Sequence, residues 1–335
     1  MSVRIVTQKE VPALLPMAEC VDVMARALET LARGDALLPL RSMLRLPDRP
    51  GLLGLMPAYL GTPATLGLKV VSVMPQNHGT PYDSHQGAVL IFEVEHGRLL
   101  AVIDASSITA IRTAAVSGVA TRCLARDDAG DLALIGSGVQ AVSHLEAMKV
   151  VRPLRRVRVW SRDAGRARVF AARQSARHGV RIEVADSARA ALEGADLVCT
   201  TTSAREPVVE ASWLAPGVHI NAVGACFKDT RELDTATVAG SRLVVDCRES
   251  ALNESGDFLI PRREGAFGDD HIVGELGEVL LGRVPGRRTR EERTLFKSLG
   301  IAIEDLAAAH HIWRKAESLD RPAAIEFGGL RDPGE

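Results

Sequence analysis

The segment Asp131 to Met148, DLALIGSGVQAVSHLEAM, constrains the fold of this chain more than any other stretch. Leu132, Ala133, Leu134 and Ile135 form a short apolar run, Gly136 and Gly138 permit a tight turn, and Ala141 is small enough for a helix to pack against the strand. Strand, turn and helix follow one another without slack, in the G-x-G-x-x-A form of the dinucleotide fingerprint. Glycines let backbone N–H groups approach a pyrophosphate, and the helix N-terminus adds partial positive charge. Gly136, Gly138, Val139 and Gln140 are therefore the expected cofactor cradle. A plain strand-to-helix turn would look the same in isolation, so the following elements decide.

The next strand, Arg156 to Trp160, ends in Ser161-Arg162 where a strictly NAD-binding site would carry an acid for the ribose 2′-hydroxyl. A serine and a guanidinium suit a 2′-phosphate better than a free diol. NADPH is the expected cofactor, with NADH as the alternative, since Asp163 could still serve a ribose.

From there the pattern alternates: strand 181–184, helix 187–192, then strands 197–201, 218–223 and 243–246, which is the order of a doubly wound parallel sheet. Upstream lie a helix over 18–33 stopped by Gly34, strands 41–46, 67–74, 88–93 and 99–103, and a helix over 108–125. Helical spacing returns over 294–317 and is expected to lead back to the N-terminal part. The fold class is α/β: a Rossmann dinucleotide-binding domain over 126–305 and a discontinuous α/β substrate and dimerisation domain over 1–125 and 306–335. A length of 335 residues fits two such domains.

A net charge of −1, with no basic stripe, argues against a nucleic-acid surface. No apolar run approaches membrane-spanning length and no export pattern opens the chain, so a cytoplasmic location away from membranes is expected. The five cysteines are scattered and odd in number, against a disulfide framework, and all but Cys226 read as buried small hydrophobes. His310 and His311 are adjacent on a helix and diverge, and no zinc motif occurs, so no metal is expected.

Three cations sit in apolar or small-residue surroundings: Arg41, Lys69 in GLKVV and Arg112 in ITAIRTAA. Such charges are costly unless paired. A ligand carboxylate or an internal salt bridge with Asp104 or Glu93 would each serve.

The segments GLKVVSVMPQN (67–77), SHQGAVLIFE (84–93), ITAIRTAAVSGVAT (108–121), LIGSGVQA (134–141), ESGD (254–257), GELGEVLLG (274–282) and LFKSLGIAIED (295–305) resemble, in that order, the ornithine cyclodeaminase and mu-crystallin family. The resemblance implies a Rossmann domain joined to a substrate domain that forms a homodimer through its sheet. It also implies that Arg41, Lys69 and Arg112 hold the substrate carboxylate. In the cyclodeaminase branch an acid ends a G-G-D or G-A-D motif and another precedes a Pro-Ala pair; here those positions are Cys226 and Met56. Without them the site lacks the groups that handle a side-chain amine during ring closure with loss of ammonia, and the chain is closer to the ketimine reductase branch.

The expected activity is therefore reduction by NAD(P)H of cyclic ketimine acids such as Δ1-pyrroline-2-carboxylate or Δ1-piperideine-2-carboxylate. Lys69, its pKa depressed by two guanidinium groups, is the expected proton donor or the group that orients a donating water, and shares the catalytic role with Arg112. Thr200, Thr201, Val223 and Gly224 are expected to line the nicotinamide, with Met56 and Cys226 on the substrate side. Asp229 is the acid that a shifted loop would bring in, while Asp305 and Glu278 read as helix-end or packing residues. The alternatives are another imino-acid reductase or an amino-acid dehydrogenase, a true cyclodeaminase, and a non-catalytic NADPH-dependent binding protein. Ammonia release identifies the dehydrogenase and the cyclodeaminase, and an apolar ligand competing with imine reduction identifies the binding protein.

Overall fold

The structure, a computed structural model, describes residues 2–77, 80–319 and 323–326. The chain divides into two units, Met1–Arg112 with Ile301–Glu335 and Thr113–Gly300. Residues 320–322 and 327–335, part of the expected first domain, lie outside the described residues.

In the first unit the strands are β1 (Ser2–Val6), β2 (Ala36–Leu37), β3 (Ser42–Arg45), β4 (Leu52–Leu60), β5 (Thr65–Val73), β6 (His85–Phe92) and β7 (Leu99–Asp104), with Ala324–Glu326 pairing on β1. The order runs from that C-terminal strand through β1, β7, β6, β5 and β4 to β2, with β3 also on β4. Strands β4 to β7 form an antiparallel meander whose side chains alternate between faces. Met56, Lys69 and Val89 share one row on the buried face, which the helix Ala302–Ser318 covers. On the opposite face, rows such as Leu55, Val70, Ala88 and Pro57, Leu68, Leu90 are only partly covered. Pro57 costs β4 little, because β3 pairs with Leu52–Leu55 and β2 with Tyr59 and Leu60, leaving a gap where a missing N–H breaks no pair.

The second unit holds an all-parallel sheet: β8 (Asp131–Ile135), β9 (Arg156–Trp160), β10 (Ile182–Val184), β11 (Leu197–Thr200), β12 (His219–Ala222), β13 (Arg242–Val245), β14 (Ile272–Glu275) and β15 (Thr294–Lys297). The spatial order is β10-β9-β8-β11-β12-β15-β13-β14. Helices Val139–Val151 and Ala164–His178 follow β8 and β9 and connect each to the next parallel strand.

One expected element differs in the structure. The helical reading of 294–317 fails at its start: Thr294–Lys297 is a fully buried strand between β12 and β13, and the helix begins only at Ala302. A four-residue apolar run fits either period, and Gly300, at φ +74°, separates the two elements. The strands Ser2–Val6, Ala36–Leu37, Leu52–Leu60, Ile272–Glu275 and Ala324–Glu326 add to those read from the sequence.

Candidate active site

In the first unit, β5 carries Lys69, the helix Ala105–Leu124 carries Arg112, and the first turn of the helix Ala302–Ser318 carries Glu304 and Asp305. All four side chains are buried. Lys69 Nζ donates to Thr109 Oγ1 at 2.7 Å and to Asp305 Oδ1 at 3.1 Å. Arg112 Nε donates to the same Asp305 oxygen at 3.1 Å and Nη1 to Glu304 Oε2 at 2.7 Å. Acids in a first helical turn also gain from the helix dipole.

The structure therefore replaces the expected salt-bridge partners. Asp104 instead accepts the Ser107 N–H at 2.8 Å, and Glu93 accepts the His96 N–H at the hairpin tip at 2.8 Å. Asp305 is a helix-start residue, but it is also the shared counter-ion of Lys69 and Arg112, which its position in the sequence alone does not reveal. Its Oδ2 is buried and has no hydrogen-bond partner among the described residues. Glu278 does cap a helix, accepting the Glu275 N–H at 2.8 Å.

Burial, more than the neighbouring guanidinium groups, pushes the Lys69 amine down to about 8; Asp305 opposes the shift, and Arg112 and Arg41 add to it. The Asp305 carboxyl is held below its ordinary range, because Arg112 and Lys69 outweigh the burial that would raise it. Arg41 stands half-buried just ahead of β3, and Met56 lies next to Lys69 in the β4–β5 register.

In the second unit, Gly136 adopts φ +113°, and a Cβ there would stand 2.7 Å from the Thr201 carbonyl oxygen, so only glycine fits this turn. Around Gly138 there is open space, and the Val139–Val151 helix has no side-chain cap, leaving first-turn N–H groups for a phosphate to accept. Arg162 is exposed just past β9 and makes no ion pair or hydrogen bond among the described residues. Asp163 instead caps the next helix, accepting the Arg166 N–H at 3.0 Å. Ser298, one residue past β15, carries a buried hydroxyl with no partner among the described residues. An uncapped helix start, a free guanidinium and an orphaned hydroxyl fit a dinucleotide along the C-terminal edge of this sheet.

The expected nicotinamide-lining residues meet at that edge, but their hydroxyls are occupied. Thr201 Oγ1 donates to the Ile135 carbonyl at 3.2 Å, and Thr200 Oγ1 donates to Glu232 Oε2 at 2.7 Å. The N–H groups of Val223 and Gly224 both donate to the Thr200 carbonyl. Cys226 is half-buried, with its Sγ 3.4 Å from the Val223 carbonyl oxygen. Cys123 and Cys247 are also only partly buried, so full burial holds for Cys20 and Cys199 alone. Asp229 lies exposed on a turn, and the acid that reaches these strand ends is Glu232. No periodicity singles out Glu232 in the sequence, because a buried carboxylate and a solvated one share the same letter.

No described helix is long and apolar enough to cross a membrane. The family model for the ornithine cyclodeaminase/mu-crystallin family matches residues 1–320. The ketimine reductase mu-crystallin of Mus musculus is 41% identical over 280 residues, 84% of this chain and 85% of that protein. Among solved structures, Δ1-pyrroline-2-carboxylate reductase of Thermococcus litoralis, in complex with NADH and L-proline, is similar at TM-score 0.94 and 38% identity, covering 97% of this chain and 100% of that one. An archaeal alanine dehydrogenase dimer with bound NAD is similar at TM-score 0.92 and 33% identity, covering 98% and 100%.

Proposed function

The chain belongs to the ornithine cyclodeaminase/mu-crystallin family, and from that premise we propose that it reduces cyclic ketimine acids to cyclic amino acids. It is a nicotinamide-dependent, imine-reducing oxidoreductase. The observation that carries the substrate reading is the gathering of cations around Lys69. Lys69 and Arg112 share the Asp305 carboxylate, and Arg41 is near enough to add to the fall in the Lys69 amine, so three cations gather where a substrate carboxylate would be held. The cyclodeaminase acids are absent: Met56 contributes an apolar side chain beside Lys69, and Cys226 a thiol.

Arg41 and Arg112 bind and orient the substrate carboxylate, and Lys69 holds the proton that the imine nitrogen takes as it becomes an amine. The Gly136–Gln140 turn, Thr200, Thr201, Val223 and Gly224 would hold the nicotinamide cofactor, which would supply the hydride. The test is NADPH oxidation with Δ1-pyrroline-2-carboxylate and Δ1-piperideine-2-carboxylate, run beside ornithine with NAD(P)+. Imine reduction without proline or ammonia from ornithine is expected. Proline formation from ornithine would overturn the reading.

Preference for NADPH rests on Ser161 and the exposed Arg162, which has no partner among the described residues. Charge-assisted bonds contribute about 1.5–3 kcal/mol, so Arg162→Ala should weaken NADPH roughly ten- to a hundredfold and leave NADH nearly unchanged. A variant that keeps its NADPH preference removes Arg162 from the site. The half-covered apolar sheet face, on which Leu66 is 43% exposed, favours a homodimer closed through a second copy of that face. Light scattering should give about twice the 35.9 kDa of one chain, and a monomer at working concentration would refute it.

A further inference from the structure

Glu232 is fully buried, and every hydrogen bond to its side chain comes from a neutral donor. Oε1 accepts from both the N–H and the hydroxyl of Thr202, each at 2.7 Å. Oε2 accepts from the Thr200 hydroxyl and the Gly224 N–H, each also at 2.7 Å. One carboxylate thus joins the segment after β11 to the segment after β12. The joint is tight, since a Cβ on Gly224 would overlap both the Thr202 backbone and the Glu232 carboxylate.

The acid is itself held from behind. Asp257 Oδ1 accepts the N–H groups of Glu232 and Leu233 at 2.8 and 3.1 Å, while Lys297 Nζ donates to Asp257 Oδ2 at 2.9 Å. Burial, with Asp257 nearby, raises the Glu232 pKa against the opposing pull of Lys297 and the threonines. A charge kept in such a place is costly, and two strand ends could be joined more cheaply by backbone pairing alone. What the carboxylate adds is acceptor capacity for four donors, which neither a glutamine nor a hydrophobic side chain can supply.

We propose that Glu232 is a positioning residue for hydride transfer, fixing the Thr200–Thr202 and Val223–Gly224 segments so that the nicotinamide ring is held in one reactive pose. This rests on the reading that those segments line the nicotinamide. A misplacement of about 1 Å costs a reaction of this kind roughly a hundredfold.

Glu232→Gln tests it, because the amide turns N–H groups toward donors while keeping the side chain's size. The expected result is a kcat for ketimine reduction lower by about ten- to a hundredfold, with the NADPH dissociation constant changed by less than about threefold and lower fluorescence anisotropy of the bound dihydronicotinamide. The anisotropy is read without any imine, so it judges Glu232 even if the wild type fails to turn over ketimines and the reductase reading falls. Unchanged kcat and anisotropy with a lowered melting temperature would overturn the proposal, as would a loss of NADPH affinity matching the loss of kcat. Should Glu232→Gln not fold, Thr200→Val removes one donor to Oε2 and should show the same pattern more weakly; unchanged values there overturn the proposal too.

Discussion

Lys69→Met is expected to lower kcat for reduction of a cyclic ketimine acid by about 10²–10⁴-fold, the range spanned by a positioned general acid. Lys69 is buried between Thr109 and Asp305, and burial, countered by Asp305 and supported by Arg112 and Arg41, brings its amine down to about 8. Below that pH the group is the ammonium that can donate; above it the donating form falls tenfold per pH unit. Reduction should therefore decline with a slope of −1 above about pH 8, while oxidation of the cyclic amino acid rises through the same window. A flat profile between about pH 7 and 10, or a variant with raised KM and intact kcat, would make Lys69 a binding group only.

Arg112→Leu is expected to cost about 3–5 kcal/mol of stability, the usual loss when one partner of a buried ion pair is removed. The guanidinium donates to both Glu304 and Asp305, whose side chains have no exposure, so its loss takes an ion-pair partner from two buried carboxylates. Arg112→Lys keeps the charge but not the fork geometry and should lose less. Urea unfolding with an unchanged m-value measures both. A loss below about 1 kcal/mol for the leucine variant would mean that solvent reaches the cluster and compensates the acids.

Much of this protein was legible in the local sequence. Elements whose pattern is set by their own residues, such as the Asp131–Ile135 strand, its glycine turn and the helix Met17–Ala32 ended at Gly34, need no distant partner to be recognised. Thr294–Lys297 is ambiguous in the sequence because a short apolar run becomes a strand only when two neighbours, β12 and β13, offer it their open edges. The strand Ser2–Val6 likewise depends on its pairing with β7.

The glycine turn after Asp131–Ile135 and the cations Arg41, Lys69 and Arg112 stand out in the sequence, because backbone freedom and charge in an apolar segment are local properties. The sequence by itself could not assign their counter-ions. Asp305 lies 236 residues from Lys69 and Glu232 lies 32 from Thr200, and nothing in their own surroundings distinguishes them from solvated acids. That these carboxylates are buried follows from the folded packing, because burial depends on which segments surround a residue, and its ion-pair partners are brought together across distances that chain order does not show.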